Sequence, residues 1–283
     1  MRPGMGRAIL GVVATIAALA VAWGGIVLWS QWTKAPTPIS DRCVATAGGH
    51  SVAVDFDQAH NATIIAAVAL NRNLPPRAVS IALATAYQES GIANLDYGHA
   101  DSLGLFQQRP SKGWGTEAQI MDPYYSSAAF YKELVKFKNW KTRDINDIAQ
   151  SVQRSAFPEA YRRHVPNARA LASSLSGQTP ASLSCVTQNR GPADPGALLA
   201  FVKKALKKDV TAAATPEGLT ITATSAPVAW EAAHLAVAGV KAYGVATVTL
   251  GGRTWTHSTA GLADWTEGPE NLTVSVTFAP AER

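Results

Sequence analysis

The sequence predicts an N-terminal transmembrane helix, a mainly α domain and a small C-terminal α+β domain. Residues 8–29 form an uncharged, apolar run that is long enough to cross about 30 Å of hydrocarbon as a helix. Over residues 57–175, apolar residues recur at steps of three and four, which is typical of helices buried on one face. After Gly196 they alternate with threonines, which is typical of half-buried strands.

The domain boundaries are predicted from the end of the apolar run and from two stretches rich in proline and glycine. A chain of 283 residues is long enough for about two domains. The predicted parts are a cytoplasmic N-terminus and transmembrane signal anchor over 1–32, a stalk over 33–42, the mainly α domain over 43–185, a linker over 186–196 and the α+β domain over 197–283.

Charges and tryptophans around the apolar run predict its orientation. Arg2 and Arg7 precede the run, and Trp23, Trp29 and Trp32 lie toward its far end. This pattern predicts a single-pass protein of the cell membrane, with a cytoplasmic N-terminus and an extracytoplasmic bulk. A cleaved signal peptide is the alternative, although its apolar stretch is usually about 7–15 residues long.

Cys43 and Cys185 are the only cysteines in the chain. An extracytoplasmic location permits a disulfide bond between them. Closing so long a loop stabilises a fold by about 4–5 kcal/mol when only chain entropy is counted. Two buried free thiols are the alternative. Neither cysteine lies in a Cys-x-x-Cys pair, so a catalytic or metal-binding role has no support.

Composition and motif content exclude several classes of protein. With 47% hydrophobic and 16% charged residues, the chain is too apolar to be disordered. Its net charge of +5 is a mild basic bias, and we predict no nucleic-acid binding. The six histidines form no His-x-x-x-His pair, and no phosphate-binding or dinucleotide-binding motif is present, so we predict no metal and no cofactor.

Capping and turn residues place the secondary structure within each domain. Pro76 and Pro123 suit the first turn of a helix, and Asp122 is a good N-cap. Gly251-Gly252 between two runs rich in valine and threonine predicts a hairpin. The predicted helices span residues 57–71, 76–89, 122–138, 144–156, 158–175, 194–209 and 228–243, and the predicted strands span 219–224, 245–250, 253–257 and 272–278.

Glu89 is the candidate catalytic residue. It follows Val79, Ala82 and Ala86 at steps of three, four and three, so it shares a helix face with small apolar residues. Gly91 indicates that the helix ends just after it. Burial and a helix C-terminus both raise the pKa of a carboxyl group, which keeps the acid protonated for donation to a glycosidic oxygen. A solvated carboxylate at a helix end is the alternative.

The segment that starts at Glu89 resembles the lysozyme-like superfamily, most closely the Glu-Ser type of bacterial lytic transglycosylase domain and the goose-type lysozyme domains. Glu89-Ser90 is similar to the catalytic Glu-Ser of that family, and residues 104–107 are similar to its Gly-Leu-Met-Gln signature, with phenylalanine for methionine. The resemblance implies a lysozyme-like fold for the α domain and a role for Glu89 as general acid and base. The sugar-cleft residues that it implies are Ser90, Ser102, Gly104, Leu105, Phe106 and Gln107, with Gln107 close to the acid.

Beyond the signature the chain departs from the family. Its relatives carry an Ala-Tyr-Asn-x-Gly element, whereas residues 149–161 of this chain read AQSVQRSAFPEAY. Gln153, Ser155 and Tyr161 are the candidate polar contacts here, and the resemblance implies that Tyr161 packs over the acid. Trp114 is flanked by glycines, which indicates a loop, and it is a further candidate for stacking on a sugar ring.

The number of carboxyl groups in the site bears on the reaction. Ordinary glycosidases use two placed carboxyl groups, whereas a lytic transglycosylase uses one Glu first as acid and then as base. Glu89 acting alone predicts a 1,6-anhydro product. A water molecule positioned by Asp96 or Asp101 predicts hydrolysis instead.

The predicted function is therefore that of a membrane-anchored, peptidoglycan-cleaving glycosidase, either a lytic transglycosylase or a muramidase, acting on MurNAc-GlcNAc strands. Its predicted partners are the glycan strands, the cytoplasmic membrane through one N-terminal helix, and an envelope protein through the C-terminal domain. The alternative function is a catalytically inactive, peptidoglycan-binding envelope adaptor. A third hypothesis makes the α+β domain the functional part and the helical domain a spacer.

Overall fold

Two antiparallel β-sheets with helices packed against them make up residues 40–278, the part of the chain that a computed structural model describes. Strand β1 (Arg42–Ala47) lies between β2 (His50–Val54) and β3 (Leu183–Val186) in a three-stranded sheet. The second sheet contains β4 (Val210–Thr215), β5 (Gly218–Ala223), β6 (Val245–Leu250), β7 (Arg253–Thr256) and β8 (Thr273–Phe278), in the spatial order β4-β5-β8-β6-β7.

Most helices of residues 40–278 lie between β2 and β3 in the sequence. They are α1 (Phe56–Asn71), α2 (Pro76–Ser90), α3 (Glu117–Ile120), α4 (Pro123–Leu134), α5 (Ile145–Gln153), α6 (Val165–Leu175), α7 (Pro195–Leu206), α8 (Ala226–Ala238) and α9 (Val240–Tyr243). Short 3-10 turns occur at Pro110–Lys112, Arg162–His164 and Lys207–Asp209.

The predicted fold class, a transmembrane helix followed by a mainly α lysozyme-like domain and a small α+β domain, is wrong. The described residues form a mixed α/β structure with 44% helix and 19% strand, and the three-stranded sheet lies in the part predicted to be mainly helical. No helix within residues 40–278 is long and apolar enough to cross a membrane. The apolar run over residues 8–29 and most of the predicted stalk lie outside the described residues.

The sheet that the prediction missed is built around a two-residue turn. Gly48 and Gly49, at φ values of 59° and 75°, connect β1 and β2. Glycine adopts these positive φ values at little cost, and such pairs favour tight hairpins. The alternation of buried and exposed residues is hidden in the sequence because Val44 and Ala53, which do not face the core, are also apolar. Periodicity alone therefore gave no strand signal here.

Several helices are shorter than predicted, and the difference shapes the site. Helix α6 begins at Val165 instead of residue 158. Pro166 has no N–H group and would clash with the carbonyl of a preceding turn, so it is tolerated only at the start of a helix. Helix α5 likewise ends at Gln153 instead of residue 156. The chain between these two helices is therefore irregular, and it carries Tyr161.

Helix α2 is enclosed by other helices over most of its length. It packs against α1, α4, α5 and α6. Every residue from Ala78 to Ala86 is buried, and most of them are small. Small side chains permit close approach of neighbouring helices. The C-terminal end of α2, beyond these buried residues, reaches the surface. That end carries Glu89.

Helix α8 connects the two sheets, because it packs against β3 of the first sheet and against β5, β6 and β8 of the second. Its His234 is fully buried, and burial lowers the pKa of this residue to about 4. The neutral ring donates from Nδ1 to the carbonyl of Ser174 (2.8 Å) and accepts the N–H of Ser182 at Nε2 (3.3 Å). His234 of α8 thus provides hydrogen-bond partners for two backbone groups near the end of α6 and the start of β3.

The predicted disulfide bond between Cys43 and Cys185 is confirmed. The two residues lie directly opposite each other on β1 and β3, and both are fully buried. They are 142 positions apart in sequence, so the bond joins the first and last strands of the three-stranded sheet around all of α1–α6. It restricts the unfolded chain far more than a short loop would.

Replacing both cysteines by alanine should lower the free energy of unfolding by up to about 4–5 kcal/mol, since the unfolded chain regains its loop entropy. Chemical denaturation of the wild type, with and without a thiol reductant, and of the double variant measures this change. The reduced wild type should unfold close to the double variant. An unfolding midpoint that neither treatment lowers would contradict a stabilising role for this bond.

Candidate active site

An open cleft of about 870 Å³ lies at the end of helix α2. Its walls come from four parts of the chain that are far apart in sequence: the last turn of α2, residues 99–114, the end of α4 with Phe137, and residues 151–156. The three-stranded sheet contributes nothing to its lining. The cleft is therefore a product of helix and loop packing, and its only wall residue from α2 is Glu89.

The C-terminal end of α2 fixes the position of Glu89. Gly91 adopts a left-handed conformation at φ 67° and ends the helix, and the N–H of Ile92 then donates to the carbonyl of Ala86 (3.0 Å). A glycine in this conformation is the usual end of a helix. The turn places Glu89 between the buried face of α2 and the cleft, so its carboxyl group is largely removed from water while it still reaches the cleft.

Tyr161 is the hydrogen-bond partner of this carboxyl group. Its hydroxyl donates to Oε1 of Glu89 at 2.6 Å, and the tyrosine itself is fully buried. Burial raises the pKa of Glu89, and hydrogen bonding from Tyr161 and Gln153 offsets part of that rise. Burial and the neighbouring carboxyl group also raise the pKa of Tyr161 far above its usual range. Tyr161 is thus a fixed donor, and Glu89 keeps a raised affinity for a proton.

Backbone carbonyls of the predicted signature hold the surrounding elements together. Gln153 donates from Nε2 to the carbonyl of Phe106 (2.8 Å), and the hydroxyl of Ser90 donates to the carbonyl of Leu105 (2.8 Å). The end of α5 and the end of α2 are therefore both attached to residues 105–106. This arrangement keeps Gln153 beside Glu89.

The structure divides the predicted cleft residues into two groups. The residues that line the cleft are Glu89, Ser102, Gln107, Trp114, Gln153 and Ser155. The predicted residues that do not line the cleft are Ser90, Gly104, Leu105, Phe106 and Tyr161.

Two residues of the second group, Phe106 and Gly104, have structural roles. Phe106 is fully buried and stacks on Phe130, with ring centroids 4.7 Å apart. Gly104 lies at φ 75°, and a Cβ atom there would come within 2.8 Å of the carbonyl oxygen of Ile120. Only glycine fits this turn, because a side chain would meet backbone that cannot give way. These signature residues therefore shape the loop and do not line the cleft.

Gln107 lines the cleft but is turned toward its own loop. Its Nε2 lies 3.3 Å from the carbonyl of Tyr97 and 3.4 Å from that of Gly104, and its backbone has a positive φ of 46°. Within residues 40–278, the hydroxyl of Tyr161 donates to Glu89, and Gln153 is the amide side chain that lowers the pKa of Glu89. The amide that neighbours the acid thus comes from the segment in which the chain departs from the family pattern.

The two aspartates considered as second carboxylates do not line the cleft. Asp101 accepts the N–H of Ser111 (2.8 Å) and pairs with Arg109 at 2.6 Å. Hydrogen bonds from Ser111 and Arg109 hold its pKa well below the usual range. Asp96 is exposed in a loop. Asp101 therefore closes the loop 101–111, as expected of a turn-forming aspartate.

The structure adds four charged residues that sequence reasoning missed, namely Arg109, Lys112, Glu133 and Arg154. Glu133 lines the cleft from the last turn of α4, where it pairs with Lys136 (2.5 Å). Its position three residues after buried Phe130 and four before half-buried Phe137 is the same kind of signal that singled out Glu89. Arg154 also lines the cleft, at φ 53° in the residue that ends α5. No pattern in the sequence predicts that turn.

A scan against protein-family models and a search of curated proteins found no match to this chain.

Glu89→Gln should stabilise the protein at about pH 8 and have little effect at about pH 4. The pKa of Glu89 in the folded state is raised above its ordinary value of 4.5. Ionisation therefore costs the folded state more than the unfolded state, and this cost appears only as the pH rises through the folded pKa. Glutamine stays neutral and can still accept from Tyr161. Thermal unfolding across this pH range measures the difference, and a difference that does not change with pH would contradict a raised pKa.

Tyr161→Phe should raise the pKa of Glu89 further, because the carboxylate loses a hydrogen-bond donor while its burial persists. It should also lower the free energy of unfolding by about 1–2 kcal/mol. An NMR titration of the labelled Glu89 carboxyl carbon measures the pKa. The matched control is Tyr131→Phe, which removes a buried hydroxyl that donates to the carbonyl of Ile65 (2.9 Å). An equal shift of the Glu89 pKa in both variants would show that Tyr161 has no specific role.

Proposed function

We propose that this chain cleaves the glycan strands of peptidoglycan, with Glu89 as the general acid and base. The observation that carries the proposal is a carboxyl group with a raised pKa that reaches an open cleft and accepts a hydrogen bond from a buried tyrosine. The resemblance of Glu89-Ser90 and residues 104–107 to lytic transglycosylase domains adds support for this chemistry. The cleft, at about 870 Å³, is of a size to take a few sugar rings.

The hydrogen bond from Tyr161 assigns different tasks to the two oxygens of Glu89. Oε1 accepts from the tyrosine, so the acidic proton resides on Oε2. In the proposed reaction, Oε2 gives this proton to the glycosidic oxygen between MurNAc and GlcNAc as that bond breaks. The resulting carboxylate keeps the Tyr161 hydrogen bond, which stabilises its charge. It then accepts the proton of the C6 hydroxyl, whose oxygen bonds to C1 and forms the 1,6-anhydro product.

Hydrolysis is the second candidate outcome, and Glu133 is the observation that favours it. This carboxyl group lines the same cleft as Glu89 and pairs with Lys136. A second carboxylate in the cleft of a glycosidase can orient a water molecule toward C1, which gives a reducing end. The aspartates of the loop 96–101 do not reach the cleft and leave this role to Glu133.

The confirmed disulfide bond supports an extracytoplasmic site of action. Disulfide bonds persist in oxidising compartments outside the cytoplasm, which is where peptidoglycan lies. In the proposal, the glycan strand is the partner of the cleft.

Glu89→Gln should lower the release of soluble fragments from purified peptidoglycan by about 100-fold or more, because proton transfer to the leaving oxygen is lost. Mass spectrometry of the fragments released by the full-length chain measures this and identifies the product. Anhydro-muropeptides indicate a lytic transglycosylase. Reducing-end fragments that Glu133→Gln also abolishes indicate a muramidase.

The matched control is Glu217→Gln, because Glu217 is exposed in the turn between β4 and β5 and lies outside the cleft. It removes the same charge from the same kind of side chain and should leave release unchanged. If neither the wild type nor the control releases fragments while both still bind the strands, the enzyme proposal fails and the adaptor function replaces it.

A further inference from the structure

Strand β4 (Val210–Thr215) lies at one edge of the five-stranded sheet and, within residues 40–278, pairs with β5 alone. Loops of the chain cover two of the other sheet edges. Ser258 pairs with Val186 at the end of β3, and Thr266 exchanges hydrogen bonds with Thr254 of β7 (2.8 and 2.9 Å). Strand β2, the remaining edge strand, is shorter than β4. β4 is therefore the longest strand edge that the described chain leaves open to another strand.

The register of the β4–β5 hairpin shows which backbone groups of β4 point outward. Thr215 and Gly218 lie opposite each other across the two-residue turn Pro216-Glu217. Residues beside such a turn exchange both hydrogen bonds, and along an antiparallel pair the bonded and non-bonded positions alternate. The residues whose N–H and C=O groups point to β5 are therefore Thr211, Ala213 and Thr215, and those whose groups point away from the sheet are Val210, Ala212 and Ala214.

The sequence of β4 has none of the features that commonly protect an exposed edge. Such edges are usually very short, or they carry a lysine, a proline or a bulge. β4 has six residues, none of them charged and none a proline, and its register with β5 contains no shift. Its residues 212–214 are all alanines, whose small side chains leave the backbone accessible. An edge of this composition is suited to pairing with a further strand.

Charges of opposite sign lie at the two ends of β4. Lys207 and Lys208 lie in the turn before it, and Glu217 follows it in the turn before β5. All three are exposed, and none of them forms an ion pair within residues 40–278. With half-buried Asp209, the turn before β4 holds two lysines and one aspartate and stays basic. Antiparallel pairing of two such strands sets the basic start of each beside the acidic end of the other.

Helix α7 covers one half of β4 and leaves the other half bare. The helix packs against β4, and Val210 beneath it is buried. Ala212 and Ala214, which alternate onto the same face, are half-buried and exposed, respectively. A two-fold axis at Ala212 sets Ala214 opposite Val210 of a second copy. Helix α7 of the second copy then lies over the half that is bare in the single chain.

We propose that a second copy of this chain adds its β4 to this edge, antiparallel and with the two Ala212 residues opposite each other, so that two five-stranded sheets join into one. This register pairs all the outward groups of β4 and forms about six backbone hydrogen bonds between the copies. It also brings Lys207 of each copy close to Glu217 of the other. Residues 207–217 do not line the cleft, so the inference does not rest on the proposed function, and substitutions here should leave peptidoglycan release unchanged.

Sedimentation equilibrium of the full-length chain, in a density-matched detergent solution and over a series of concentrations, measures the dimer. Ala212→Pro removes an outward N–H group, which an edge strand tolerates, and should weaken dimerisation by about tenfold or more. The matched control is Ala53→Pro. It makes the same change on the edge of β2, at an exposed position whose N–H group also points outward, and it should leave the dimer unchanged.

Exchanging the charges tests the contact between the ends of the strands. Lys207→Glu and Glu217→Lys should each weaken the dimer by about fivefold or more, because each places like charges together at both ends of the paired strands. The double variant restores opposite charges and should restore the affinity. Since the two residues form no ion pair with each other in the single chain, a merely structural effect would not show this rescue.

Cysteine cross-linking tests the register. Residues opposite each other in a hydrogen-bonded pair have Cα atoms about 5.5 Å apart, which a disulfide can bridge. Ala212→Cys should therefore link two copies under a copper–phenanthroline oxidant, whereas Ala214→Cys should not, because it lies opposite Val210 of the other copy. The native cysteines are already bonded to each other and do not interfere. A chain that stays monomeric, a dimer that Ala212→Pro leaves intact, or linkage through Ala214→Cys in place of Ala212→Cys would overturn the inference and leave the glycosidase proposal standing.

Discussion

The burial of helix α2 is the constraint on which the site depends. Its residues from Ala78 to Ala86 have no exposed face, because helices pack around them on all sides. A helix in that position can place only its ends at the surface. The C-terminal end, stopped by Gly91, puts Glu89 where the interior meets the cleft. Burial at that position raises the pKa of the carboxyl group.

The same burial lowers the stability of the folded state at high pH. A carboxyl group whose pKa is raised by burial destabilises the folded state once it ionises, and Tyr161 moderates that cost by donating to Oε1. Hydrogen bonds from Gln153 and Ser90 attach the ends of α5 and α2 to residues 105–106, and these bonds help to keep Glu89 in its half-buried position. Arg154 also lowers the stability of the folded state, because its left-handed backbone conformation is unfavourable. Its cationic side chain lies on the same cleft wall.

The rest of the molecule holds this helical layer in place. The disulfide bond joins β1 to β3 and thereby closes the chain around the helices that form the cleft. Helix α8 then spans from β3 to the five-stranded sheet, and its buried His234 satisfies backbone groups of residues 174 and 182. The two sheets are thus connected through one buried helix, away from the cleft wall.

Much of this protein could be predicted from the sequence because the signals are local. Helical periodicity placed α1, α2 and α5 within a few residues, the small-residue stripe marked Glu89, and two cysteines sufficed to predict the disulfide bond. The hairpin at Gly48-Gly49 had a local signal as well, hidden by apolar residues on both faces of its strands. The family resemblance implied that Tyr161 lies over Glu89, and the structure has its hydroxyl on Oε1. Tertiary structure alone decided that Gln153 lies beside Glu89, that Asp101 pairs with Arg109, and that Glu133, Lys112 and Arg154 line the same cleft. Those outcomes depend on how helices separated by many residues pack together, and neither periodicity nor capping residues encode that arrangement.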